Sequence, residues 1–397
     1  MDGAVGHLYD NRDLTFCEIF NILSSAASGK LEEVSEKLDG LNLVFSWDVS
    51  TNSLRVARNS GNIKNGGLDA SSLVTKFARH GNLSEAFNSA FKVLGGALDS
   101  LSLKTKLEVF GHNANRWYSM EVIYASSPNI VNYDSNNVIF HGWPIFKVSE
   151  NMTVEMIDDD VGGIKTLTEN IEKMQNAVEI HGWKIHGPVI ARMKKLSDGS
   201  ALRAALFKIN EALSEAGLDD SATIRDYISV RLDYDAEALG LSKKTKVMVV
   251  ERCLAELGSP TLVDIKKCCD KSTHGTISDF VKSSGVRLKD YIKPIESAIN
   301  ELVIDLLKGL KPILVTDVER ETVRLQNEVS KVISTIELSS GDRTMTMLNE
   351  QMEKLKSVGN ITTPTEGVVF IYKGNAYKFT GNFFAINQVL GLFRQRS

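Results

Sequence analysis

The chain has 397 residues, is 43% hydrophobic and 24% charged, and carries 46 basic against 50 acidic side chains. That length accommodates two domains, or one domain bearing a large insertion, and the composition is ordinary for a globular protein. A net charge of −4 excludes a surface that is basic throughout, while a local phosphate site needs only a few cations. No apolar run reaches about 18 residues, so no membrane partner is expected. The opening "MDGAVGHLYDNRD" shows neither the basic nor the apolar region of a secretory signal. Cys17, Cys253, Cys268 and Cys269 lack paired CxxC spacing, which points to free thiols in a reducing, cytoplasmic compartment rather than to a zinc site.

The first stretch, 1–150, opens with an amphipathic helix over Leu14–Ala27 that ends near Gly29. Three strands follow, "EVSEKL", "LNLVFSWDV" and "LRVAR"; the turn-forming "DVSTNS" between the last two predicts a hairpin. "SLVTKFARHG" and "LSEAFNSAFKVLGGAL" have helical spacing, and "WYSMEVIYA" and "NNVIFHGW" read as strands. This order is α+β in character, with antiparallel neighbours rather than regular βαβ units.

The second stretch, 151–358, changes period. Leu202, Leu206, Ile209 and Leu213 recur at helical steps, as do Ile295, Ile299, Leu302 and Leu306, and Leu325, Val329, Val332 and Ile336. Helix starts are expected at Asp219-Asp220 and at Ser259-Pro260-Thr261, giving an all-α domain of five to eight helices. The third stretch, 359–397, returns to strands: "EGVVFIY" and "YKFTG" flank a turn holding Gly374 and Asn375. A β-fold begun in the first stretch and finished in the third makes the helical region an insertion, provided the last hairpin joins the first strands.

Lys37-Leu38-Asp39-Gly40 stands between the first two strands. Alone, KxDG would arise in roughly one chain in ten of this length. Four further elements follow it in order: "VARNSGN" with Arg58 after a strand, "WYSMEVIYASSPNIVNYD" with Glu121 inside one, "EGVVFIYKG" with Glu366 opening one, and "AYKFTG" with Lys378. Together they resemble the motifs of the covalent nucleotidyltransferases: ATP-dependent DNA ligases, RNA ligases and mRNA capping enzymes. The resemblance covers about 1–145 and 360–397, and is nearest to phage-type RNA ligase-like proteins.

What it implies is an antiparallel-sheet, ATP-grasp-like nucleotidyltransferase core with a large all-α insertion, using ATP and Mg²⁺. Lys37 would accept AMP, Asp39 would support the lysine, Glu366 would serve the metal, and Glu121 would hold the ribose. Arg58 and Lys378 would meet phosphates, with Lys373 a substitute for Lys378, since Thr380 stands where the family shows a second lysine. Phe140 is the candidate for stacking on the base. The chemistry suits these residue types: an amine attacks phosphorus only when neutral, and cations offset phosphate charge. Lys243-Lys244-Thr245-Lys246, Lys194-Lys195, Arg394 and Arg396 read as solvated faces that could also meet phosphates.

Glu121 and Glu366 are 245 positions apart, so the insert between them is large and its expected job is substrate choice. No small β-barrel follows Lys378, which favours RNA over DNA as the acceptor within this resemblance. The expected partner is a nucleic acid with 5′-phosphate and 3′-hydroxyl ends, in a bacterial or phage-infected cell. Two alternatives stay open: transfer of AMP to a small molecule or protein, and a catalytically silent ligase-like scaffold.

Overall fold

The structure, a computed structural model, describes residues 5–79, 81–157, 161–189, 191–254, 258–338, 355, 361, 363–383, 385–387 and 389–390. It is mixed α and β, with antiparallel sheets and many helices. Helix α1 (Phe16–Ala27) starts at a capping box in which Thr15 and Glu18 satisfy each other's backbone N–H groups. Strands β1 (Ser35–Lys37), β2 (Leu41–Asp48) and β3 (Ser53–Ala57) follow, then helices α2 (Ser60–Lys64), α3 (Ala70–Phe77), α4 (Asn82–Asp99) and α5 (Leu103–Phe110). The short α2 and α5 have no counterpart in the sequence-based expectation. Next come β4 (Arg116–Ile123), β5 (Asn136–Val148), β6 (Val154–Ile157), α6 (Val161–Glu169), α7 (Ile171–Val178) and β7 (Trp183–His186).

Strands β3-β2-β4-β5-β6 form one sheet of antiparallel neighbours, and β7 runs parallel to β5 at Asn136–Ile139. Alternation along β2 sends Leu43, Phe45 and Trp47 to one face, where Phe77, Phe87, Phe110 and Met174 from the following helices close a core. Val44 faces the other way with Ala57 and Trp117. This body runs through His186, so the sheet crosses position 150, where the helical domain was expected to begin. Strands β6 and β7 escape a periodicity search because each is four residues long.

The remaining helices are α8 (Ser200–Glu215), α9 (Ile224–Glu237), α10 (Lys243–Leu254), α11 (Leu262–Lys267), α12 (His274–Lys282), α13 (Ser284–Lys308) and α14 (Val318–Leu338). Thr223, not the preceding aspartates, is the N-cap of α9, while Thr261, within the expected Ser259-Pro260-Thr261 start, is the N-cap of α11. The stripes of α8 and α13 pack with α1 in one core, while Leu325, Val329 and Val332 of α14 belong to another with Leu38, Val131 and Ile139. The side chain of Ile336, Arg394 and Arg396 lie outside the described residues. Lys246 is held by Asp233 at 2.9 Å and Glu237 at 2.5 Å.

The last two strands, β8 (Gly367–Tyr372) and β9 (Asn375–Phe379), turn through Lys373-Gly374, both at positive φ. Their hairpin pairs with β1, not with β2, so a separate three-stranded sheet β1-β8-β9 results. One of its faces carries Val368, Phe370, Tyr377 and Phe379 into the core of α1 and α8–α13. Burying each such side chain contributes about 1.5–3 kcal/mol, which fastens the hairpin to the helices. Among the described residues no helix is long and apolar enough to cross a membrane.

Candidate functional site

The two sheets meet at Lys37-Leu38-Asp39-Gly40, where β1 hands the chain to β2. Gly40 has to be a glycine: a Cβ there would lie 2.6 Å from Glu121 Cγ and 2.8 Å from the Val122 carbonyl. The missing side chain lets the connection press against β4 at Glu121, which β2 pairs with Asn42.

Lys37 ion-pairs with Glu366, the residue immediately before β8; their side chains are 26% and 18% exposed, shielded yet reachable from solvent. Asp39 is buried, and its Oδ2 accepts the N–H groups of Ile130 at 2.6 Å and Val131 at 2.8 Å. Its own N–H donates to the buried Tyr133 hydroxyl at 2.8 Å. Glu121 is nearly buried and Oε2 lies 3.1 Å from His141 Nε2. Burial pushes the carboxyls of both Asp39 and Glu366 up; Lys37 holds both down, and Glu121 pushes both up as a like charge. Lys37 and these three carboxylates therefore form one electrostatic cluster.

A second lysine completes it. Lys378 lies on the row Ser35–Val369–Lys378, two residues from the row of Lys37 and Gly367, so alternation puts both lysines on one face. Burial lowers the proton affinity of Lys378, and the charge of Lys37 lowers it further. The N-terminal segment straps this edge: Lys378 N–H donates to the Gly6 carbonyl at 3.0 Å, and Asn11 Nδ2 to the Tyr377 hydroxyl at 2.7 Å. It brings in His7, stacked on Tyr9 with ring centroids 4.9 Å apart. Burial first, then Lys378, pushes the His7 imidazole down to about 4, so it is neutral at neutral pH.

Five of the expected site residues thus come together: Lys37, Asp39, Glu121, Glu366 and Lys378. Three do not. Arg58 is exposed and sits 5.5 Å over the Phe87 ring, in the core on the sheet face opposite Glu121. Phe140 is fully buried on that same opposite face, 4.9 Å from Phe45, where no base can reach it. Lys373 projects from the hairpin turn and pairs with Glu18 at 2.7 Å, at the far end of β9 from Lys378. The sequence reading passed over His141, Tyr133 and His7. For His141 the one available signal is its place two residues beyond Ile139, which pairs with Glu121; that register exists only in the folded sheet.

On the opposite face of β1, Glu36 is buried and accepts the Ile313 N–H at 2.8 Å and the Thr365 hydroxyl at 3.4 Å. Burial pushes its carboxyl up to about 7 despite these donors. A folded-state value above the unfolded one means the folded protein holds this proton more tightly. The stability contribution is full below the unfolded value, near 4.5, and is lost as pH rises through about 7. The loss amounts to about 3 kcal/mol at its upper limit. Glu36→Gln is therefore expected to match wild type in thermal midpoint at acid pH and exceed it above neutrality. Parallel melting curves in the wild type across that range would refute this.

The donor set suits Mg²⁺, which takes a few carboxylate oxygens and fills its remaining positions with water and phosphate. Glu366, beside the lysine and ahead of β8, is placed to offer one. Among the described residues no three His, Cys, Asp or Glu side chains are arranged as a metal site by themselves. Compared with protein-family models, with characterised proteins and with solved structures, the chain matches none of them.

Proposed function

We propose that the protein is an ATP-dependent polynucleotide ligase acting through a lysyl-AMP intermediate, with RNA the favoured substrate. The observation that carries this reading is the convergence of Lys37, Glu366 and Lys378 on the three-stranded sheet β1-β8-β9, with Asp39 and Glu121 contributed by the loop and by β4. In this reading the Lys37 amine attacks the α-phosphorus of ATP and pyrophosphate leaves. The AMP then passes to a 5′-phosphate end, from which a neighbouring 3′-hydroxyl displaces it.

The ion pair bears on how the first proton leaves. Lys37 must lose a proton to attack, and Glu366 is in contact with its ammonium. Glu366 cannot both serve the metal and take this proton, so in this reading the proton passes to solvent, which the 26% exposure of the Lys37 side chain allows. Lys378 supplies positive charge to the α-phosphate from the same face of the sheet, where it costs no reorganisation. Glu121, anchored by His141, offers a carboxylate oxygen to a ribose hydroxyl. A bound Mg²⁺, held in part by Glu366, would offset the charge of the triphosphate. Arg58 has no part in this arrangement, since it lies over the Phe87 ring on the opposite sheet face.

The test is incubation with α-labelled ATP and Mg²⁺, followed by denaturing electrophoresis and intact mass. The expected result is label that survives denaturation and a mass increase of one AMP. Joining of 5′-phosphorylated RNA and DNA strands then identifies the acceptor. Protein that neither takes up label nor carries AMP as isolated would sink the proposal, and labelled protein that joins no strand would redirect it to another acceptor.

A further inference from the structure

The loop that holds Asp39 is itself held from the helical region. Helix α14 presents Glu321, Arg324 and Glu328 on successive turns, a spacing that usually marks a solvated face. Here it does something else. Arg324 Nη2 donates to the Ile130 carbonyl at 2.6 Å, and Glu321 Oε1 accepts the Asn132 N–H at 2.7 Å. Arg324 is fixed in turn by Glu321, at 2.8 Å through Nε, and by Glu328 at 2.5 Å through Nη1. Leu325 and Val329 of the same helix pack in the apolar cluster of Leu38, Val131 and Tyr133.

The Ile130 carbonyl and the Val131 N–H belong to one peptide group. Its oxygen accepts from Arg324 while its nitrogen donates to Asp39, so the guanidinium and the carboxylate sit on opposite ends of one dipole. Hydrogen bonds in such a chain polarise and strengthen one another. Two glutamates against one guanidinium leave this group net negative, so Arg324 acts by aiming the peptide and not by presenting positive charge to Asp39. The charged groups around Asp39 are Lys37 from β1, Glu121 from β4 and Glu366 ahead of β8, with neutral Tyr133 in its own loop and the Arg324–Glu321 pair behind it. We infer that Arg324 is a positioning residue of the Lys37 site: through the 130–131 peptide it holds the Asp39 carboxylate beside the lysine. This rests on the reading of Lys37 as the reactive amine.

The experiment measures Lys37 itself, in the full chain and without nucleotide. The rate of its acylation by an N-hydroxysuccinimide acetate is read by peptide mass spectrometry at one fixed neutral pH. Asp39→Asn removes the carboxylate that the 130–131 peptide anchors, and is expected to change the acylation rate of Lys37 roughly threefold. Arg324→Gln is expected to do the same, and to add less than about 1.5-fold in the Asp39→Asn background, because both changes act on one interaction. Arg324→Lys keeps the charge but loses the planar fork, so it should behave as Arg324→Gln does. It is also the second variant should Arg324→Gln fold poorly. A wild-type rate in Arg324→Gln, equal factors with and without the Asp39 carboxylate, or full restoration by lysine would each overturn the inference. Absence of an AMP adduct in the wild type, with the acylation coupling intact, would defeat the ligase reading and leave this one standing.

Discussion

Lys37→Arg is expected to abolish covalent attachment of AMP, by at least about a thousandfold, while leaving the fold intact. The pair of variants Lys37→Arg and Lys37→Ala separates chemistry from structure. Arginine keeps a cation against Glu366 and can donate to both carboxylate oxygens, so the β1–β8 seam stays closed. Its guanidinium does not lose a proton in a protein and offers no lone pair to phosphorus. Alanine removes nucleophile and ion pair together and leaves the half-buried Glu366 without its cation, so a lower thermal midpoint should accompany the lost label. The measurement is the α-labelled ATP assay beside a melting curve for each variant. Label persisting on Lys37→Arg would place the nucleophile elsewhere, with Lys378 the next amine on that face.

The second large effect is expected at Gly367, which pairs with Lys37 and follows Glu366. Its φ is +143°, a conformation that side chains strongly disfavour, and a Cβ there would lie 1.9 Å from the Phe379 carbonyl oxygen and 2.9 Å from Thr380 Cα. The obstacle is backbone of the neighbouring strand, which cannot swing aside as a flexible side chain can. Gly367→Ala should therefore cost about 3 kcal/mol or more and lower the thermal midpoint by roughly 5 °C or more. Because Glu366 and Lys378 both ride on the β8–β9 hairpin, AMP labelling should fall further than the fraction of folded protein does. Labelling that tracks folded protein alone, with the two measured side by side, would show that the hairpin does not carry the site.

How much of this was legible in the sequence varies from one residue to the next. Short strands with alternating apolar residues announced β2, β4 and β8, and periodic leucines and isoleucines announced α8 and α13, because those signals depend on neighbours along the chain. Lys37, Asp39, Glu121, Glu366 and Lys378 form an ordered set in the sequence, and the structure gathers them. Arg58, Phe140 and Lys373 stand out in the sequence on the same grounds. Their side chains go elsewhere because the sheet face that each one meets was not readable. Arg58 follows β3 onto the helix-covered face, over Phe87; Phe140 alternates into the same core; Lys373 is carried outward by its turn. The contributions of His141 and Arg324 depend on pairings between β4 and β5 and between α14 and the 130–132 loop, which no local pattern announces.

The sequence alone therefore determined the longer strands and helices and their order, and a set of amines and carboxylates suited to phosphate chemistry. Tertiary structure decided which of these meet. The C-terminal hairpin pairs with β1 instead of extending the larger sheet, and that choice sets Glu366 and Lys378 against Lys37. It decided equally that the larger sheet runs on to His186 and that a helix far along the chain props up Asp39. The physical reason is range. Propensity and periodicity act over a few residues, whereas strand register, face and burial are fixed by segments hundreds of positions apart that must share one core.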